Sequence, residues 1–327
     1  MKQIAILILG LVFMVGCAED KDTKNNIFDP FHSNDKVASQ FFDLDTIEMK
    51  EIIGERGTKI YFLRNAFDVD STDKISMELK EFYGISDLIK NNIRTLTKDN
   101  ELLESSGVIY LNFTKNGEEL KLKDSLAINV RFPVNFSSQD KIFNGDKDSL
   151  GLISWSESDA YFSVMRYDKE YQIDMQVDVT LDSLPYYQEL WRKQDSIYQA
   201  KYGKYDKIKK SIGSLITLKS LGWVNIDKYV SNPTKMDFEI SNQQDIDAVI
   251  FYFVYQGFNS FTSFIPNDKS SIKLKGVPII ENTSLIAVGI KDQQLLAQKI
   301  MIEDSGLFDL ALKPISQAML KELFENN

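Results

Sequence analysis

Few residues of this chain carry side chains suited to covalent or acid–base chemistry. Among 327 residues there is one histidine, His32, and one cysteine, Cys17. A single histidine excludes paired-histidine metal motifs and leaves little for histidine-dependent proton transfer. A single cysteine forms no internal disulfide and no cysteine-rich zinc site. Carboxylates remain. Glu101, Glu104, Glu118 and Glu119 have the chemistry of a glycosidase pair if the fold brings two of them across a cleft; on a solvated face they do nothing catalytic. Asp68-Val69-Asp70-Ser71-Thr72-Asp73 has the oxygen-rich spacing with which a calcium loop begins. The required glycine and terminal glutamate are missing, so a hairpin turn is expected there. No phosphate-cradling glycine pattern, Gly-x-Ser-x-Gly elbow or His-Glu-x-x-His pair occurs. No metal or cofactor is expected.

Two stretches hold residues suited to binding. Trp223, Asn225 and Asp227 alternate along one segment and form either a polar ligand site or a buried anchor with two turn-bonding side chains. In Phe258-Asn259-Ser260-Phe261-Thr262-Ser263-Phe264, aromatics alternate with small polar residues after a glycine. At the lip of a hairpin such rings pack on sugars or partner proteins; in a following strand, Phe261 and Phe264 are core residues instead.

The elements that position these groups read as strands. Ile75-Ser76-Met77-Glu78-Leu79-Lys80-Glu81-Phe82-Tyr83 alternates, with Ile75, Met77, Leu79 and Phe82 expected to face inward. Asn116-Gly117, Lys123-Asp124-Ser125 and Asn144-Gly145-Asp146 supply turn chemistry between such runs. Period-two segments separated by polar turns argue an antiparallel sandwich over residues 41–180. Residues 181–213 change period. Tyr187, Trp191, Tyr198, Tyr202 and Tyr205 fall on one side of a helix, which is expected to clamp the flanking domains. Residues 214–327 return to short strands at the spacing of an immunoglobulin-like or transthyretin-like sandwich. The apolar run Ala248–Tyr255 reads as a central strand covered on both faces. A helix capped by Ser316 closes the chain. The fold class expected is mainly β: two antiparallel sandwich-like domains joined by an aromatic-rich helix, with a short C-terminal helix.

The charge balance narrows the partners. Lys plus Arg number 38 against 48 Asp plus Glu, a net charge of −10, which repels phosphate and argues against nucleic acid. At the start, Lys2 precedes an apolar run from Ile4 to Val15 that stops at Gly16-Cys17. This is the anatomy of an export signal, and the run is short for a membrane-spanning helix.

Met14-Val15-Gly16-Cys17 resembles a bacterial lipoprotein box, with Met where Leu is usual. The resemblance implies cleavage after residue 16 and acylation of Cys17, palmitate-type chains included, with several chains giving durable anchorage. Residues 17–40 then read as a flexible polar tether. Its acidic start resembles the surface-export signal of Bacteroidota lipoproteins. Gly57-Thr58-Lys59-Ile60 through Phe67, Leu79–Ile89, Leu102–Tyr110 and Leu221-Gly222-Trp223-Val224-Asn225-Ile226-Asp227-Lys228-Tyr229 resemble a set of uncharacterised Bacteroidota cell-envelope lipoproteins. That set commonly has Cys where Ile226 stands and Arg-Phe at Lys228-Tyr229. The resemblance implies location and architecture, and no activity. Six Asp-Ser/Thr-x triads, at Thr46, Ser71, Ser125, Ser149, Ser183 and Ser196, the third residue apolar in all but Asp70-Ser71-Thr72, resemble O-glycosylation sites of exported Bacteroidota proteins. The reading that follows is a lipid-anchored, non-catalytic binding or scaffolding protein of the outer membrane. It faces the cell surface or the periplasm, with an envelope protein or a glycan as partner. The rival is a carboxylate-based glycan hydrolase or a glycan-binding module.

Overall fold

The computed structural model describes residues 28–44, 49–124, 126–134, 136–137, 139–148, 151–168, 173–178, 215–266, 271–302 and 306–325. The signal segment 1–16, Cys17, the start of the tether and the helix expected at 181–213 lie outside the described residues, as do Thr46, Ser125, Ser149, Ser183 and Ser196.

The strands are β1 (Gln40–Leu44), β2 (Met49–Ile53), β3 (Lys59–Leu63), β4 (Ile75–Phe82), β5 (Leu103–Lys115), β6 (Glu118–Glu119), β7 (Ile128–Arg131), β8 (Lys141–Lys147), β9 (Ile153–Glu157), β10 (Tyr161–Asp168) and β11 (Ile173–Asp178), with helix α1 (Ile85–Lys90) after β4. There follow β12 (Leu215–Leu218), β13 (Gly222–Tyr229), β14 (Thr234–Ser241), β15 (Ala248–Tyr255), β16 (Phe261–Phe264), β17 (Ser271–Ile279), β18 (Thr283–Lys291), β19 (Gln294–Met301), β20 (Leu307–Asp309), β21 (Lys313–Pro314) and helix α2 (Gln317–Glu325). The protein is mainly β, as the alternation predicts.

Two sandwiches result. In the first, a sheet ordered β1-β4-β5-β13-β8-β9, with β6 on β5, faces a sheet ordered β11-β10-β12-β7-β3-β2. In the second, β17-β14-β20 faces β16-β15-β18-β19-β21. All described ladders are antiparallel except β14–β20. The domain boundary expected at 214 is corrected. β12 bridges β10 and β7, and β13 inserts between β5 and β8, so the first sandwich closes only at Tyr229. Apolar alternation specifies that a strand is half-buried, not which strand it pairs with.

Local chemistry explains most elements. Asn116 and Gly117 both take positive φ (53° and 87°), the turn that a two-residue hairpin demands. Asn144-Gly145-Asp146, by contrast, is no turn and lies inside β8. Gly145 is needed there for closeness: a Cβ would stand 2.7 Å from Trp155 and 2.9 Å from Trp223. Along β4, Ile75, Met77 and Leu79 enter the first core as expected, but the next position on that face is Glu81. Its Oε2 accepts from Gln40 Nε2 (2.8 Å) and the Arg56 amide (3.0 Å), and its Oε1 from the Thr58 amide (3.0 Å) and hydroxyl. Fully buried, Glu81 thereby ties β4 to the β2–β3 turn in the facing sheet. Phe82, expected inward, points to the opposite side.

That opposite side is a third apolar layer. Phe82, Val108, Phe143 and Trp155 of the first sandwich pack in one cluster with Ile250, Tyr252, Ile286 and Val288 of the second. β15 is covered on both faces, as its unbroken apolar run requires: Ile250, Tyr252 and Val254 join this layer, while Val249, Phe251 and Phe253 join the second core. The expected tether is corrected in its second half. Phe31 is buried against Phe324 of α2, and the Pro30 carbonyl accepts from Gln317, so residues 28–39 form a strap held in this layer. α2 starts as its sequence predicts, with the Met319 amide donating to Ser316 Oγ at 3.2 Å.

Candidate functional site

The segment Phe258–Phe264 joins β15 to β16 and is turned toward the first sandwich. Its small polar residues bond that neighbour. The Ser105 amide donates to the Asn259 carbonyl (3.0 Å), and Asn259 Nδ2 returns a bond to the Ser105 carbonyl (2.8 Å). Ser260 Oγ donates to the Leu103 carbonyl (2.7 Å). Thr95 Oγ1 lies 2.8 Å from Ser260 Oγ and accepts from the Phe261 amide (3.0 Å). Ser263 Oγ donates to Asn92 Oδ1. Ser260, Thr262 and Ser263 are fully buried. The expected aromatic lip is therefore corrected. Phe261 is core, Phe264 is half-buried edge-on to Phe253 (5.7 Å, 90°), and Phe258 alone of the three is exposed, at 36%.

Beneath this seam lies the second candidate group. β13 alternates, so Trp223, Asn225, Asp227 and Tyr229 share the face turned to the seam. Asn225 and Asp227 are fully buried. Ser105 Oγ donates to Asn225 Oδ1 (2.9 Å), and Asn225 Nδ2 donates to Asp227 Oδ2 (2.5 Å). Asp227 Oδ1 has no partner. Burial raises the Asp227 carboxyl to about 8, and the nearby Asp140 and Glu104 add to the shift against the bonds from Ser105 and Asn225. Asp227 is thus a neutral acid at pH 7. Trp223 is half-buried beside Phe82 and Tyr110, with centroids at 5.6 and 5.0 Å. The structure separates the three: Asn225 and Asp227 are internal, and Trp223 is near solvent at the other end of the strand.

Where the seam meets solvent, the sandwiches leave a cleft of about 1060 Å³. Phe258, Met301 and Ile302 present apolar surface from the second sandwich, and Glu104, Lys228 and Tyr229 line it from the first. Met301 is 43% exposed. Glu104 and Lys228 are paired at 3.2 Å. The Tyr229 hydroxyl donates to Glu157 Oε1 (2.9 Å), and Lys141 sits over its ring at 5.1 Å. Desolvation and then that carboxylate push the Tyr229 phenol up to about 12. A strand parity running Trp223, Asn225, Asp227, Tyr229 was the signal for Tyr229 in the sequence. Met301 has none, since its place depends on how the sandwiches meet.

The other candidates do not assemble. Glu118 and Glu119 sit beyond the far end of β5, Glu101 is exposed in a turn, and Glu104 is neutralised by Lys228, so no facing carboxylate pair forms among the four. In the 68–73 loop the place of a cation is taken by Arg64. Its guanidinium donates to the carbonyls of Asp70 (2.7 Å) and Asp73. The Asp73 carboxylate is held by Lys115 at 2.7 Å and is pulled below the usual range by that contact. Among the described residues, no group of three or more metal-ligating side chains converges, and no helix is long and apolar enough to cross a membrane. Of the six triad sites, Ser71 is described, and it lies exposed in this turn. Comparison of the chain with known protein families, with characterised proteins and with solved structures finds no match.

Proposed function

We propose that this is a lipid-anchored binding protein of the bacterial outer membrane, presented at the cell surface and carrying its partner in the cleft between the sandwiches. The observation that carries the binding role is the exposure of Phe258 and Met301 on one wall of that cleft, facing the Glu104–Lys228 pair and Tyr229 on the other. An apolar wall opposite a few fixed polar groups is the usual make-up of a recognition site. The partner that suits it is an envelope protein segment with an apolar side chain for Phe258 and Met301 and a polar flank for the ion pair. The anchor rests on the position of Cys17 directly after the apolar run. The non-catalytic reading fits the dispersal of the four glutamates.

The two halves are tested separately. Cys17→Ala is expected to remove the acyl mass and to make the protein extractable from membranes by high salt. Unchanged mass and salt-resistant retention refute the anchor. Crosslinking in native envelopes is expected to attach one specific partner to the wild type and to lose it in Phe258→Ala/Met301→Ala. An unchanged crosslinking pattern refutes the cleft.

A further inference from the structure

Where β13 lies along β5 the pairing slips. Ile226 stands opposite Gly107 and Asp227 opposite Ser105, so Ser106 is an extra residue on β5. A bulge of this kind re-aims the side chains beside it. Here it sets Ser105 next to Asp227 on the face turned to the second sandwich, and Lys141 of β8 is the cross-strand neighbour of Asp227 on the other flank. Lys141, Asp227 and Ser105 thus form a row across the sheet. Asp227 is fully buried; its Oδ2 accepts from Asn225, and its Oδ1 has no donor. Lys141, the cation of the row, is turned away from it. The ammonium lies 2.6 Å from Glu157 Oε1 on β9 and 5.1 Å over the Tyr229 ring.

A buried carboxylate with an unmet oxygen is costly, so the folded protein keeps Asp227 protonated. The groups packed around it oppose a charge there. Glu104 of β5 is held by Lys228, which lies on the opposite face of β13, and Asp140, just ahead of β8, accepts from the Ser106 hydroxyl and the Ser137 amide. Both carboxylates disfavour ionisation of Asp227. Asn259 and Ser260 of the second sandwich bond to the carbonyls of Ser105 and Leu103 and bring no charge. Among the described residues, Lys141 is the cation next to Asp227 on this face. Paired Cα atoms of antiparallel strands stand about 4.5–5.5 Å apart, within the span of a lysine side chain. Lys141 therefore has two carboxylates within reach. With Asp227 neutral, Glu157 is the charged one, and Lys141 pulls it below the ordinary glutamate range. With Asp227 ionised, the buried charge is the costlier of the two to leave unpaired, and less water screens it.

We propose that loss of the Asp227 proton draws the Lys141 ammonium from Glu157 to Asp227, and that this lysine swing is a switch in the wall of the cleft. In the protonated state the ammonium covers the Tyr229 ring and neutralises Glu157. In the ionised state the ring is bared, and Glu157 stands beside it as a free carboxylate that still accepts from the Tyr229 hydroxyl. Tyr229 lines the cleft, so the wall that a partner meets changes from capped and neutral to open and acidic. The change follows the Asp227 proton, which leaves at about pH 8: Lys141 stays outside below that value and turns inward above it. The proposal rests on the reading of the cleft as the binding site and adds its control.

The test uses the chain from Ala18 to Asn327, which keeps every described residue. In NMR spectra the Tyr229 ring signals, assigned through Tyr229→Phe, are expected to shift with a midpoint at about pH 8, and one aspartate carboxyl carbon to titrate with the same midpoint. In Asp227→Asn both changes are expected to vanish. The two carboxylates compete for one lysine, so variants on either side move the Asp227 midpoint in opposite directions. Lys141→Met removes the cation that favours the ionised acid and is expected to raise the midpoint by about one pH unit or more. Glu157→Gln releases that cation and is expected to lower it. Lys235→Ala, exposed on β14, is expected to leave it unchanged. Thermal melts at pH 6 matching the wild type show that each variant is folded, and the exposed Glu157 carries the test if Lys141→Met melts early. A Tyr229 signal that still titrates in Asp227→Asn, or an Asp227 midpoint that Glu157→Gln does not lower, overturns the proposal. These signals need no partner, so they fail or hold apart from the crosslinking that tests the cleft.

Discussion

The interiors of the two sandwiches and the layer between them are built from different materials. Inside the first sandwich, Phe62, Phe67 and Phe113 meet ring to ring, at 4.7 Å for the closest pair, among aliphatic neighbours. The layer between sandwiches has an apolar part of similar make-up, but its margin is a row of buried polar groups: Thr95, Ser105, Asn225, Asp227 and Ser260. Apolar burial is non-directional, so it drives two sheets face to face without choosing how they are aligned. Hydrogen bonds have fixed lengths and angles, and a displaced partner leaves a buried donor unmet. The contrast teaches that stability and alignment are supplied by different residues. The cores hold each sandwich, and the seam fixes one on the other.

Breaking the core has the largest effect. Phe113→Ala is expected to destabilise the protein by ~3–5 kcal/mol, the usual loss on truncating a buried phenylalanine. Chemical denaturation with a matched m-value checks it. Next comes the buried acid of the seam. The folded state keeps the Asp227 proton up to a pH of about 8, whereas an ordinary aspartate releases it near 3.8. Between those values the unfolded state binds fewer protons, so stability falls as pH rises, by at most ~1.4 kcal/mol per pH unit, and levels off above the upper value. Asp227→Asn is expected to flatten melting temperature against pH from 5 to 8 and to raise it at pH 8. An unchanged slope in the variant would show that Asp227 titrates normally.

Smaller still is a seam bond that leaves both cores whole. Thr95→Val removes the hydroxyl that faces Ser260 and the Phe261 amide, for ~1–3 kcal/mol. Faster hydrogen exchange at the amides of Ser105 and Phe261, with Phe113 unaffected, separates alignment from core stability. The least effect on stability is expected at Phe258. Its replacement by alanine changes melting by less than ~1 kcal/mol because the ring is already part-exposed. A larger loss would place it in the seam and not in the cleft.

The fold class was readable because period-two burial is a local property. Ile75, Met77 and Leu79, the two-faced β15 and the Asn116-Gly117 turn all declare themselves within a few residues. What was not readable is relational. Glu81 looks like a solvated position until Gln40, Arg56 and Thr58 come to it from other strands. Phe261 and Ser263 look like an exposed lip until the first sandwich is placed against them. In the Asp68–Asp73 loop the spacing suits a cation, and Arg64, a few residues earlier, already supplies one. The exposure of Phe258 was legible, because it follows from the turn at Gly257. The places of Met301 and Lys141 were not, since each depends on a neighbour brought in by the tertiary fold.

The insertion of β13 between β5 and β8 sets a timetable for the growing chain. Residues 103–115 and 141–147 emerge first and wait for residues 222–229, about a hundred residues behind β5. At ~5–20 residues per second that interval lasts ~5–20 s. Throughout it, two strand edges that will be central stand open, with Ile109, Leu111 and Phe113 on one of them. Open apolar edges pair with whatever strand is nearest. The nascent chain is therefore most at risk of mispairing midway through its synthesis, and a holding chaperone would be needed most just before Trp223 emerges.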